Sequence, residues 1–102
     1  MTDYVNEYLT KKKIGLSYPV VPSMFFKRGG SMSVQASSGH YCSPKNDAGP
    51  YHMVEVLVAS PRLKVPKSFG KPAQKFDDGA RLYTWVSVDA VNAEIKRRGG
   101  IA

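Results

Sequence analysis

The sequence predicts an α+β domain: a small sheet of three to four mostly antiparallel strands, packed with an N-terminal and a C-terminal helix on one face. Three observations carry that prediction. Apolar residues at helical spacing are confined to the two ends of the chain, and alternating stretches occupy the middle. Clusters of Gly, Pro, Ser, Asn and Asp separate these segments. A length of 102 residues fits a single domain, 1–102, with one modest core.

Tyr4, Val5, Tyr8 and Leu9 recur at helical spacing, with Thr2 as the expected cap and Gly15 as the expected stop. Asp3 and Glu7 come early and Lys11, Lys12 and Lys13 late, which complements the helix dipole. The lysine triplet therefore reads as a solvated helix end before it reads as an anion site. Pro19 and Pro22 predict an extended connector into a strand over Met24 to Lys27. Gly29 and Gly30 supply a turn, after which Met32, Val34 and Ala36 alternate with polar residues. This is a hairpin pattern with Lys27 and Arg28 at the tip.

Residues 37–50 are dense in turn formers and read as a long surface loop. The next segment, 51–59, is a strand in which His52, Val54, Val56 and Val58 share a face opposite Tyr51, Met53, Glu55, Leu57 and Ala59. The valine face is expected to pack on the core. From Pro61 to Lys75 the prolines prevent a continuous helix and predict a second long loop. Asp77-Asp78-Gly79 turns the chain into a last strand, where Leu82, Thr84, Val86 and Val88 oppose Tyr83, Trp85 and Ser87. Ser87 or Asp89 can cap the final helix, which carries Val91 and Ile95 one turn apart, ends in Lys96, Arg97 and Arg98, and has Gly99 as a left-handed cap.

Function classes are narrowed by charge. Lys and Arg number 15 against 8 Asp and Glu, a net +7, so an anionic partner is favoured: nucleic acid, a nucleotide or an acidic protein surface. One cysteine excludes an intramolecular disulfide. A membrane span needs about 18 consecutive apolar residues, and no run approaches that. Acidic residues precede the first lysines, the reverse of a secretory signal, so the expected site of action is cytoplasmic, without a membrane partner.

Catalytic constellations are sparse. His40, Cys42 and His52 match no common zinc spacing, and nothing marks a third residue to orient a Cys42–histidine pair. Glu55, Asp77, Asp78 and Asp89 show no spacing that pairs an acid with a base. Neither a P-loop nor a dinucleotide fingerprint is present. The expectation is a protein that is not an enzyme, with no metal and no cofactor.

The cationic segments are more informative. Arg62, Lys64, Lys67, Lys71 and Lys75 are interleaved with Phe69 and Phe76, so cations for phosphates lie beside rings on which bases can stack. The hairpin sequence Phe25-Phe26-Lys27-Arg28-Gly29-Gly30 has an echo in Lys96-Arg97-Arg98-Gly99-Gly100. Helix termination accounts for the second cluster, whereas backbone physics does not require cations at the first. The expected binding residues are Phe25, Phe26, Lys27, Arg28, Arg62, Lys64, Lys67, Phe69, Lys71 and Lys75.

The stretch SVQASSGHYCSPKNDAGPYHMVEV, followed by a proline-bearing loop, a Tyr/Trp-Val strand and an Ile-Lys-Arg-Arg-Gly-Gly helix end, resembles small uncharacterised proteins of bacteriophage and prophage accessory regions. The likeness covers roughly residues 32–60 and 82–100. It implies a small phage product in the host bacterial cytoplasm that inhibits a host-defence complex by stoichiometric binding, in the manner of anti-CRISPR proteins. The implied partner is a host protein or ribonucleoprotein complex with an acidic surface. Direct binding of nucleic acid or a signalling nucleotide is the alternative, and no active-site residue transfers with the resemblance.

Overall fold

A computed structural model describes residues 2–13 and 20–102. The expected helix stop at Gly15 and the connector's first proline, Pro19, lie outside these residues. Helix α1 spans Tyr4–Lys13 and buries Val5 and Leu9, one turn apart. Asp3 rather than Thr2 caps it: the Asn6 N–H donates to Asp3 Oδ1 at 3.1 Å and Asn6 Nδ2 to Oδ2 at 2.8 Å. Asp3 has a further reason to hold this place, because Asn92 Nδ2 donates to it at 3.1 Å while Asn92 Oδ1 accepts the Val5 N–H at 2.9 Å. One capping carboxylate thereby joins the first helix to the last.

Strands β1 (Met24–Phe25), β2 (Ser31–Gln35), β3 (Met53–Val58), β4 (Gln74–Lys75) and β5 (Arg81–Ser87) form one antiparallel sheet in the order β1-β2-β3-β5-β4. The count is five, not three to four. The added strand is β4, inside the proline-rich stretch expected to be loop; a 3-10 turn over Lys67–Phe69 lies there too. The cause is the Asp77-Asp78-Gly79 turn. Its main chain closes through the Phe76 N–H to Ala80 O at 2.9 Å, which lays the preceding residues beside β5. Strand β1 is also shorter than expected. Phe26 bonds the turn at Gly30, and the next two N–H groups leave the sheet for the C-terminal segment.

Val54, Val56 and Val58 are fully buried, as the alternation predicts, and share the core with Val5, Leu9, Val91 and Ile95. The alternation fails before Met53: Tyr51 is buried and His52 exposed, the reverse of the expected faces. Tyr51 is drawn inward by Asn6, whose Oδ1 accepts its N–H at 2.7 Å. Helix α2 spans Val88–Arg97; Ser87 stands at its N-cap position without a side-chain cap bond. At the other end the Gly100 N–H donates to Ile95 O and the Gly99 N–H to Lys96 O, a Schellman motif with Gly99 at φ +86°. The expected glycine cap is present.

The expected division of β5 into an aromatic and an aliphatic face is overturned. Val54 pairs with Val86 but Val56 pairs with Tyr83, so β5 carries one extra residue opposite Glu55. Trp85 absorbs the bulge at φ +54°, the left-handed region, and is the one residue other than glycine there among the described residues. Tyr83 and Val86 therefore both point into the core, and Trp85 is left 48% exposed.

Candidate functional site

The two basic, glycine-ended segments lie side by side. The Lys27 N–H donates to Gly100 O and the Arg28 N–H to Arg98 O, both at 3.0 Å, and Phe26 forms an antiparallel bridge with Ile101. Arg28 Nη1 also donates to Arg97 O at 3.1 Å. Lys27, Arg28, Lys96, Arg97 and Arg98 thus belong to one ridge, fixed by main-chain bonds that do not depend on their charges.

Glu94 organises the cations beneath. Its carboxylate accepts Arg97 Nε and Nη2 at 2.8 and 2.7 Å and Arg98 Nε at 2.7 Å. Burial pushes its pKa upward, but the hydrogen bonds and charges of Arg97 and Arg98 outweigh that and hold it below the ordinary 4.5. Arg98 lies over the buried Phe26 ring, its Cζ 5.7 Å from the centroid, and its Nη2 donates to Lys64 O at 3.0 Å. Lys27, Arg28, Lys96 and Arg97 remain exposed around this core of charge.

Gly30 fixes the junction with the basic loop. It sits at φ +89°, and a Cβ there would come within 2.9 Å of Leu63 Cδ1 and 3.4 Å of Arg98 Nη1. Leu63 and Lys64, near the start of the loop, therefore meet the hairpin tip and Arg98. The rest of the loop runs to the other side: Lys75 lies on β4, and β2, β3 and β5 separate that strand from β1. Of the expected binding residues, Phe25, Lys27, Arg28, Arg62 and Lys64 are exposed, and the Lys64 main chain is tied to the ridge through Arg98. Lys67 and Lys71 are exposed farther along the same segment.

Two expected contacts are corrected by burial. Phe26 is 4% exposed, and Phe69 is equally buried, set edge-on against Tyr83 with ring centroids 6.0 Å apart. Both serve the core, as aromatic rings in a small domain tend to. The α1 lysines divide: Lys11 and Lys12 are exposed, as expected of a solvated helix end, and Lys13 is not. Lys11 lines a groove with Tyr4, Glu7 and Tyr8 that faces Lys27 and Gly99 to Ile101, extending the ridge, and Lys12 lines its neighbour beside Phe25. Lys13 is no solvated helix end: it donates to Ala36 O and to the Tyr51 hydroxyl, and lies over the Tyr51 ring at 4.8 Å.

The Cys42 and His40 side chains have local partners, and His52 is exposed. Cys42 is 1% exposed and its thiol donates to Ser37 O at 3.1 Å. His40 Nδ1 lies 2.6 Å from Ser37 Oγ, but Ser37 is itself fully buried, so the pair presents no reachable nucleophile. Among the described residues no group of His, Cys, Asp and Glu is placed to hold a metal ion. No described helix is long and apolar enough to cross a membrane.

Sequence reasoning missed a second exposed feature at the other end of β3 and β5. Trp85 and Tyr41, 48% and 52% exposed, have ring centroids 6.0 Å apart at 55°, and Lys45 Nζ lies 5.4 Å above the Tyr41 ring. The strand pattern alone put Trp85 on the same face as Tyr83; the bulge separates the two, burying Tyr83 and turning Trp85 out.

The fold and the ridge define a small antiparallel α+β protein with a cationic edge. Comparison with protein-family models, with curated proteins and with solved structures gives no match.

Proposed function

We propose that the protein is a stoichiometric, non-catalytic binder of a nucleic-acid backbone, which it grips along the ridge formed by the hairpin tip and the C-terminal turn. The observation that carries this reading is the main-chain pairing of Lys27 and Arg28 with Arg98 to Gly100. It adds Lys27 and Arg28 to the three cations that helix termination alone would place there, and their one buried carboxylate, Glu94, is already held by two guanidiniums. Cations preset on a rigid turn suit a phosphate backbone, because little side-chain and loop order remains to be fixed on binding. The α1 groove, with Lys11 beside Tyr4 and Tyr8, supports a path for the strand leading away from the tip.

The narrower reading, a phage-type inhibitor of a bacterial defence complex, rests on the sequence resemblance. A ribonucleoprotein effector offers the backbone such a ridge would occupy, and occupancy alone would block it. Fluorescence anisotropy of a labelled single-stranded oligonucleotide tests the backbone reading. Saturable binding that weakens steeply with salt is expected, and binding unaltered in the Lys27→Ala/Arg28→Ala variant refutes it. A pull-down from bacterial lysate with and without nuclease tests the narrower one: a nucleoprotein complex should be retained, and should be lost after nuclease treatment.

A further inference from the structure

We infer that Trp85, Tyr41 and Lys45 form a nucleobase-stacking platform, a site separate from the ridge and not dependent on it. Its ligand class is a nucleobase carrying phosphate, either a nucleotide or an unpaired residue of a single strand. Four observations converge. The rings of Trp85 and Tyr41 are each about half exposed and lie close enough to present adjoining faces and edges. The backbone holds them there: the Trp85 N–H donates to Tyr41 O at 3.3 Å, and the Tyr41 N–H donates to Glu55 Oε2 at 3.3 Å. Trp85 occupies a left-handed conformation that costs a residue with a Cβ about 1–2 kcal/mol, and such strain concentrates where a side chain must be aimed. Lys45 places a cation over the Tyr41 ring.

Those features select among ligands. A stacked base gains attraction from any exposed π face, and the neighbouring ammonium is positioned for its phosphate. A quaternary ammonium ligand would also suit aromatic rings, but Lys45 already occupies the cationic position over Tyr41. Glu55 is half-buried and accepts the Tyr41 N–H, so its role is to hold the loop. A proline-rich peptide would use the rings and leave Lys45 without a function. The nucleobase accounts for all three side chains.

Trp85 is the only tryptophan, so its emission reports on the platform directly. Thymidine 5′-monophosphate, a ten-residue oligothymidylate and an abasic oligomer of equal length and charge are titrated separately into the full chain. Saturable quenching by the first two, with little by the abasic oligomer, is expected. Tyr41→Ala should weaken the oligothymidylate titration by about tenfold or more, the scale of one lost base stack. Lys45→Ala should weaken it at low salt, with the difference shrinking as salt rises. Quenching by the monophosphate that persists in Lys27→Ala/Arg28→Ala supports the platform whatever the fate of the ridge. The inference is overturned if the abasic oligomer quenches equally, if neither base-bearing ligand changes the emission, or if tetramethylammonium or a proline-rich peptide quenches where they do not.

Discussion

The guanidinium of Arg98 donates to the main-chain carbonyl of Lys64, 3.0 Å away, although 34 residues separate them in sequence. The same side chain, 15% exposed, is bound by Glu94 and covers Phe26. One arginine therefore holds together the last helix, the hairpin and the start of the basic loop. Glu94→Gln leaves that guanidinium without its counter-charge and should lower stability by about 3 kcal/mol, read from the midpoint of urea unfolding. Lys96→Ala, at an exposed position on the same turn, should stay within about 0.5 kcal/mol of the parent. Equal effects of the two would dissolve the structural role given to Glu94.

Acid should unfold the protein through the same carboxylate. Burial raises the Glu94 and Asp3 values, but in each case the hydrogen bonds outweigh it, from Arg97 and Arg98 for Glu94 and from Asn6 and Asn92 for Asp3. Both lie below their ordinary values when folded, so the unfolded chain binds protons first as pH falls. Their stabilisation is complete above the ordinary carboxylate range and is lost as pH drops through the folded values. The urea midpoint should be level from about pH 7 to about pH 5 and fall below about pH 4, more gently in Glu94→Gln. A parent midpoint unchanged at about pH 3 would contradict this linkage.

Salt dependence separates the ridge from the far end of the basic loop. If Lys27 and Arg28 each neutralise a phosphate of a single strand, replacing both by Ala should reduce the slope of log affinity against log salt by about 1.4. Lys71→Ala/Lys75→Ala, toward the opposite sheet edge, should leave the slope nearly unchanged. A larger loss from the second pair would move the binding surface to β4.

Trp85→Gly separates a tryptophan kept for exposure from one kept for packing. Glycine removes the left-handed strain while giving up a half-exposed ring, so stability should stay within about 1 kcal/mol of the parent. A core tryptophan would cost about 3–5 kcal/mol on truncation. Thermal unfolding of the variant distinguishes the two.

Cys42 should behave as a packed thiol. Its modification by an aromatic disulfide reagent should be slow in the native protein and should accelerate in parallel with unfolding as urea is added. Rapid stoichiometric reaction under native conditions would place the thiol at the surface.

Local rules made much of this fold legible in advance. Val5 and Leu9, the valine face of β3 and the Gly99 helix end each follow from residues within a few positions of one another. Apart from β4, which a local turn creates, the misses involve distant partners. Trp85 is displaced by a register shift against β3, which no pattern inside β5 reveals. Tyr51 is buried by Asn6, 45 residues away, and Asp3 displaces Thr2 as the cap while holding Asn92 across the core. The ridge has the same origin: each basic cluster is visible in the sequence, but their adjacency depends on the Phe26–Ile101 bridge.

That bridge also bears on the margins of the sheet. The Ala102 N–H donates to Phe25 O at 2.8 Å, so residues 100–102 lie along the outer side of β1 and occupy hydrogen-bonding groups that an edge strand would otherwise offer to another chain. The opposite edge, β4, is only two residues long, carries Lys75 and follows Pro72 closely. Neither margin is a good template for a foreign strand. Removing the last three residues should therefore do more than loosen the ridge: it would free the Phe25 carbonyl and the Lys27 N–H, beside the exposed Phe25 ring, as an edge on which the sheet can grow.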